Sequence, residues 1–513
     1  MRRSSRFVAF RIVRPGVAAV AVAWALVAGG GPARAQEPAA ILPERPVRLR
    51  MTPQRATALL AASARQLGYV PGEVLIKFRD GVARDGQERA LLGVRSRPSV
   101  AGLRWAGSVA VLHDDLEPDA HVLADQLRLQ PEVAWAEPNY LYRPQRLQPN
   151  DPGFAELQWN LRSLDITRAW DINPGGDASL IVAVVDSGIT TENAILPLKI
   201  SNGQSIQNIA VRIGTNPDIS PEKLVTPRDF ILFEDDGPVV DFEGHGTHVA
   251  GTIGEDANND LAEAGIAYNA RLMPVKVCFN YWDVAFALAD AGSLEVPPAS
   301  IAGCPTDAIV LGIQHAADNG AKVINLSLGG FAASDALREA LHYAVGKGAF
   351  VAIAAGNDFE EGNPVEYPAA YANDIAGVMS VGATNQSRVR AYYSGTASNT
   401  EIAAPGGDVR DGGLDGLVWQ MTVYTPDSQP GVVAVPRFDR YLDFGSQGTS
   451  MAAPHVSGLA ALLMSQGVTS PAAVEALIRA TAEDLGTAGR DGDFGFGLIR
   501  LRVALRGFGI FTE

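Results

Sequence analysis

Cysteine is scarce in this chain, with two among 513 residues, so a small scaffold held together by disulfides is excluded. Cys278 and Cys304 have no CxxC spacing and no histidine nearby, so they do not form a thiolate metal site. Positive charge is also in deficit. Lys and Arg number 42 against 57 Asp and Glu, for a net charge of −15. Nucleic acid and anionic membranes both demand clustered cations, so neither is an expected partner. The acidity is read as a solubility feature. Several motifs are missing as well. Gly329-Gly330 and Gly406-Gly407 do not begin a GxGxxG dinucleotide turn. Gly244-His245-Gly246-Thr247-His248 is not HExxH and brings no carboxylate, so no metal site is assigned to it. Gly-Thr-Ser-Met-Ala (448–452) is not the GxSxG elbow of an α/β-hydrolase.

What is present begins at the N-terminus. Arg2, Arg3, Arg6, Arg11 and Arg14 precede an apolar run from Val17 to Ala28 and the small-residue site Ala33-Arg34-Ala35. That is the layout of a secretory signal peptide over residues 1–35, cleaved after Ala35. The run falls well short of the roughly 20 residues that cross a bilayer, and no later segment qualifies. The expectation is a secreted or periplasmic protein with no membrane span after cleavage. In an oxidising compartment Cys278 and Cys304 are expected to pair. Closing that loop stabilises by on the order of 3 kcal/mol in the chain-entropy treatment.

Two textures follow the signal. Residues 36–68 are rich in Pro, Ala and Arg, with a weak helical pattern around Ala56 to Leu67. A compact unit then spans about 69–142. Strand-like stretches occur at Gly72–Phe78, Gly107–His113 and Val133–Glu137, with helical ones at Gln87–Leu92 and Ala120–Leu129. This order predicts a small α+β, ferredoxin-like sandwich. The linker Tyr142–Pro152 is polar and proline-bearing, which suits an exposed, cleavable connection. Beyond it, apolar runs at Leu180–Val185, Leu272–Val277, Val323–Ser327, Phe350–Ala355 and Val378–Val381 alternate with helical segments. Those are Thr247–Gly254, Thr306–Asn319, Asp335–Lys347, Ser450–Ser465 and Pro471–Ala482. Near-continuous apolar strands between helices predict an α/β fold, a parallel sheet with helices on both faces, over 147–513.

Three segments carry the chemistry: Val-Val-Asp-Ser-Gly (184–188), Gly-His-Gly-Thr-His (244–248) and Gly-Thr-Ser-Met-Ala-Ala-Pro (448–454). Asp186 ends a buried strand, where open α/β sheets gather their functional groups. His245 and Ser450 each sit at a predicted helix start. Together they supply an orienting carboxylate, a general base and a nucleophile, which a serine hydroxyl needs at neutral pH. A helix start also presents free N–H groups to developing negative charge.

These segments, in the order Asp, His, Ser, resemble the subtilisin-like serine proteases. Other segments extend the resemblance from Phe154 to Leu505. Ser327-Leu328-Gly329-Gly330 is similar to the family's substrate-pairing strand. Ala354-Ala355-Gly356-Asn357 is similar to the segment with its oxyanion asparagine, and Tyr367-Pro368-Ala369 to the one beside the primary specificity pocket. The resemblance implies catalytic roles for Asp186, His245, Ser450 and Asn357, substrate contacts at Ser327, Leu328, Gly329 and Glu366, and a structural role for His248. It implies protein or peptide substrates and no required cofactor. It also likens Pro71–Phe78 and Val133–Tyr140 to the family's prodomain, placing an N-terminal segment and prodomain at 36–146. Such a prodomain assists folding, inhibits the enzyme and is removed by self-cleavage. The expected product is a secreted serine endopeptidase made as a zymogen. The alternatives are a transpeptidase using the same acyl-enzyme, or a binding protein that has lost its catalysis.

Three positions stay open at this level. Asn193–Asp241 is long and acidic at Glu234-Asp235-Asp236 and Asp241. Calcium suits such ligands and the family's secreted members often bind it, but no regular ligand spacing appears. A solvated loop is the expectation, and no calcium site is assigned. Phe279–Gly303 replaces a short loop expected near the outer specificity pockets. Glu366 either lies at the base of the primary pocket, where it would favour Arg or Lys, or faces solvent. Gln145-Arg146 before Leu147 is a compatible self-cleavage site.

Overall fold

A computed structural model describes residues 51–65, 67–94, 97–141, 148–201, 206–234, 237–293, 295–424 and 437–507. The signal segment 1–35 and the Gln145-Arg146-Leu147 site lie outside the described residues. Contacts divide the chain into two compact units, Met1–Pro144 and Gln145–Glu513.

The first unit is an antiparallel sheet of four strands in the order Arg104–Ala106, Val109–His113, Tyr69–Phe78, Val133–Tyr140. Period-two alternation explains its core. Val74, Ile76 and Phe78 point to one face and pack with Leu91 of the helix Arg84–Leu91 and with Leu123 and Leu127 of the helix Ala120–Arg128. The strand Arg104–Ala106 was not legible in the sequence. It is short, exposed along its whole length, and pairs at the sheet edge. The opposite face carries Glu73, buried to 2% and paired with Arg104, Arg55 and Asn139.

The second unit is built on a seven-stranded parallel sheet. Its order is Ile402–Pro405, Val378–Thr384, Phe350–Ala354, Val323–Leu326, Ile181–Asp186, Arg271–Lys276, Arg228–Asp229. The strand Ile181–Asp186 shows why the sequence reads as continuously apolar. Val182 and Val184 enter a core shared with the helices His245–Gly254 and Thr449–Ser465, while Ala183 and Val185 enter the opposite core with Thr306–Asp318 and Asp335–Gly346. Both faces are buried, so both parities must be apolar.

Two segments depart from expectation. Asn193–Asp241 is not a solvated loop. Ala194–Ser201 and Ile206–Ile213 form an antiparallel hairpin joined by Arg437–Phe438 into a three-stranded sheet. This sheet covers a third core, in which the Phe242 ring packs on Phe286 and Phe438 at centroid distances of 5.1 and 4.8 Å. Asp235 and Asp236 lie outside the described residues, whereas Asp241 is fully buried. Phe279–Gly303 contains the helix Tyr281–Asp290, begun by an Asn280–Asp283 capping box. Its two ends are joined by the Cys278–Cys304 disulfide and by backbone hydrogen bonds between Phe279 and Gly303. Among the described residues no helix is long and apolar enough to cross a membrane.

Candidate active site

The strand Ile181–Asp186 delivers Asp186 to the carboxyl edge of the sheet, where it is 2% exposed. Its Oδ1 accepts from the Ser187 backbone N–H and lies 2.7 Å from His245 Nδ1. The facing carboxylate holds the imidazole with the proton on Nδ1 and leaves Nε2 free as a base. Glycines flank the histidine for steric reasons. Gly244 has φ +94°, and a Cβ on Gly246 would run into the Gly188 carbonyl. Burial alone would lower the His245 pKa. The Asp186 carboxylate outweighs it, helped by Glu243 and Asp241, and the ring is pushed up to about 9. His248, one turn further on, is pulled down to about 4 by burial and the neighbouring His245. Its Nε2 lies 3.1 Å from the carbonyls of Val418 and Phe444 and joins two paired strands, Val418–Val423 and Tyr441–Ser446.

Ser450 occupies the first turn of the helix Thr449–Ser465. Pro454 sits inside that helix and has no N–H to offer the Ser450 carbonyl four residues back. The Ser327 hydroxyl takes that place, donating to the Ser450 carbonyl at 2.8 Å. Ser450 Oγ donates to the Ser327 carbonyl at 3.3 Å. Among the described residues no hydrogen bond joins Ser450 to His245, a pairing that unliganded sites often leave long. Thr449 contributes in a way the sequence did not reveal. Its N–H and hydroxyl both donate to Asn357 Oδ1, at 2.9 and 3.0 Å. The amide is thereby oriented, and its Nδ2 donors remain for another partner.

The remaining candidates gather nearby. Ser327 is 5% exposed and Leu328 packs against the core below. Gly330 and Tyr367 exchange backbone hydrogen bonds at 2.9 and 2.7 Å. Glu366, left open by sequence, is buried to 6%. Its carboxyl group packs so closely on Gly356 and Gly329 that neither could carry a Cβ without displacing it. Burial, then the neighbouring Asp358 carboxyl, push it up to about 7. Two clefts open beside these residues. One of about 390 Å³ is lined by His245, Val423, Phe444 and Met451. The other, of about 260 Å³, is lined by Asn357, Glu360, Tyr392 and Gly448.

Among the described residues no group of three or more His, Cys, Asp and Glu is arranged to hold a metal ion. Asp218, Glu255 and Glu263 are fully buried, and Asp218 Oδ2 has no hydrogen-bond partner among the described residues. Burial pushes Asp218 and Glu263 up to about 8, which favours their protonated forms at neutral pH, and it raises Glu255 as well.

Residues 177–497 match the Subtilase family. A thermophilic serine proteinase of Bacillus sp. strain AK1 is 32% identical over 400 residues, covering 78% of this chain and 79% of that protein. Thermitase of Thermoactinomyces vulgaris is 32% identical over 342 residues, 66% of this chain and 94% of that one. An extracellular protease of Xanthomonas campestris pv. campestris is 32% identical over 399 residues, 75% and 61% respectively. The protein is therefore a serine protease, a hydrolase of peptide bonds. The chain belongs to the subtilase family.

Proposed function

We propose that Asp186, His245 and Ser450 act as the catalytic triad of a secreted endopeptidase. His245 Nε2 takes the Ser450 proton as Oγ attacks the substrate carbonyl, and returns it to the leaving amine. Asp186 keeps the ring in that tautomer and stabilises the imidazolium. The oxyanion is bound by Asn357 Nδ2 and the Ser450 backbone N–H, which lies in the first turn of a helix. Water then hydrolyses the acyl-enzyme, and no step calls for a cofactor. The observation that carries this reading is the 2.7 Å contact of His245 Nδ1 with buried Asp186. Asn357 Oδ1 is already engaged by Thr449, which supports a donor role for the amide nitrogen.

The substrate backbone pairs with the Ser327–Gly330 segment, and Glu366 at the pocket base favours Arg or Lys beside the scissile bond. Residues 1–35 direct export. Residues 36–146, with a compact part at about 69–142, form an inhibitory prodomain that the enzyme in 147–513 removes. We assign no residues to structural calcium, and chelation with EGTA tests for it.

The experiment is labelling by a serine-directed phosphonate together with peptidase assays of the parent and Ser450→Ala. Label and activity are expected in the parent and absent in the variant, which should accumulate as uncleaved precursor. Retained activity in Ser450→Ala would sink the assignment.

A further inference from the structure

Asp241 lies in the segment that sequence reading assigns to a solvated loop, yet it is fully buried and accepts five hydrogen bonds. Oδ1 takes the Ser187 hydroxyl at 3.0 Å and the N–H groups of Glu243 and Gly244 at 3.0 and 2.8 Å. Oδ2 takes the N–H and hydroxyl of Thr247 at 3.0 and 2.7 Å. Three of the five partners are backbone N–H groups, which can only donate. The identity of these donors gives the arrangement its meaning. Ser187 follows Asp186 directly, and its N–H binds Asp186 Oδ1. Gly244 and Thr247 bracket His245. The Ser187 hydroxyl closes the circuit by accepting from Gly246 N–H at 2.9 Å. The helix His245–Gly254 has no side-chain cap from Gly244 itself, and Asp241 satisfies the Thr247 N–H in its stead.

We propose that Asp241 is a positioning residue for catalysis, clamping the backbone on both sides of His245 to the residue after Asp186 so that imidazole and carboxylate meet in register. The proposal rests on the triad reading above. The clamp also has an electrostatic side. The charged or titratable groups around His245 are Asp186, Glu243, Asp241 and His248. Lys276 donates to the Ser187 carbonyl and pairs with Asp283. A buried negative charge at Asp241 therefore favours the imidazolium that forms when His245 accepts the serine proton.

The test uses the full chain with Asp241→Asn and, separately, Ser187→Ala, normalised to phosphonate-titrated sites. Peptide kinetics and the pH profile of phosphonate labelling are measured for each. Asp241→Asn is expected to lower kcat by about 10- to 100-fold, with KM changing little, and to move the acid limb to lower pH. Ser187→Ala is expected to lower kcat with the acid limb in place, because it breaks the clamp without removing charge. If Asp241→Asn does not fold, Ser187→Ala with a parental kcat overturns the proposal on its own. A folded Asp241→Asn with parental kcat and parental acid limb also overturns it. In that case an inactive Ser450→Ala leaves the triad reading standing, whereas an active one removes both.

Discussion

Ser327 and Ser450 exchange hydrogen bonds: the Ser327 hydroxyl donates to the Ser450 carbonyl at 2.8 Å, and the Ser450 hydroxyl donates to the Ser327 carbonyl at 3.3 Å. The first bond exists because Pro454 cannot complete the helical bond to that carbonyl. It ties the strand edge that the candidate nucleophile faces to the helix that carries it.

Ser327→Ala is accordingly expected to destabilise the enzyme by about 1–2 kcal/mol, since the carbonyl loses its partner and Asn325 loses an acceptor. The cost should shrink in a Pro454→Ala background, where residue 454 supplies an N–H. Calorimetry on inhibited enzyme, to prevent autolysis, checks this. Equal costs in the two backgrounds would show that Pro454 is not the cause.

The pKa of His245, pushed up to about 9, sets an acid limb. The base works only when neutral, so kcat/KM of the free enzyme should fall as pH drops through about 9. The stabilising pairing with Asp186 has the opposite sign. It is fully present below about 6.5, the ring's ordinary value, and is lost as pH rises through about 9. A kcat/KM profile over this range is the measurement. A limb at or below 6.5 would show that the carboxylates around His245 do not outweigh its burial.

Glu366 predicts a preference that changes with pH. Its carboxyl group, raised to about 7, ionises across neutrality. The advantage of Arg or Lys peptides over Leu or Phe peptides should grow from pH 6 to pH 9. Taking the ratio of rates at each pH cancels the His245 limb. Glu366→Gln should remove the advantage, which is about 10- to 100-fold for a charge-assisted contact. A fluorogenic peptide panel that shows no preference for basic residues ends the idea.

The buried acids make a stability prediction. Asp218 and Glu263, raised to about 8 by burial, hold protons in the folded state that an unfolded chain releases near pH 4. Stability should therefore fall as pH rises from about 4 to about 8. Glu263→Gln should flatten that fall and be more stable than the parent at pH 8. Urea unfolding with and without EGTA tests it. Stability that rises with pH and collapses on chelation would show the carboxylates ionised on bound calcium instead.

Much was legible in the sequence because it was local. The residue types of the three motifs, their order, and the apolar strands that hold them follow from short windows. His248, read as structural, lies with its Nε2 3.1 Å from the Val418 and Phe444 carbonyls. Asn193–Asp241 misled because its acidic end outweighed the apolar positions of Ala194–Ile213. The partners that make those positions a sheet and a core, Arg437–Phe438 and Phe286, come from distant parts of the chain.

Residue types and their order were legible from the sequence alone: a carboxylate, an imidazole and a hydroxyl in family order, set among glycines. Which of them meet, and what holds them, was decided only by tertiary structure. Asp241 is a surface acid in any local window and becomes a five-bonded anchor only when Ser187 and Thr247 surround it. Glu366 was open between pocket and solvent until Gly356 and Gly329 closed over it. The physical reason is common to both. Burial and hydrogen-bond partners come from residues far along the chain, and these determine whether a charged group is solvated, paired or neutral.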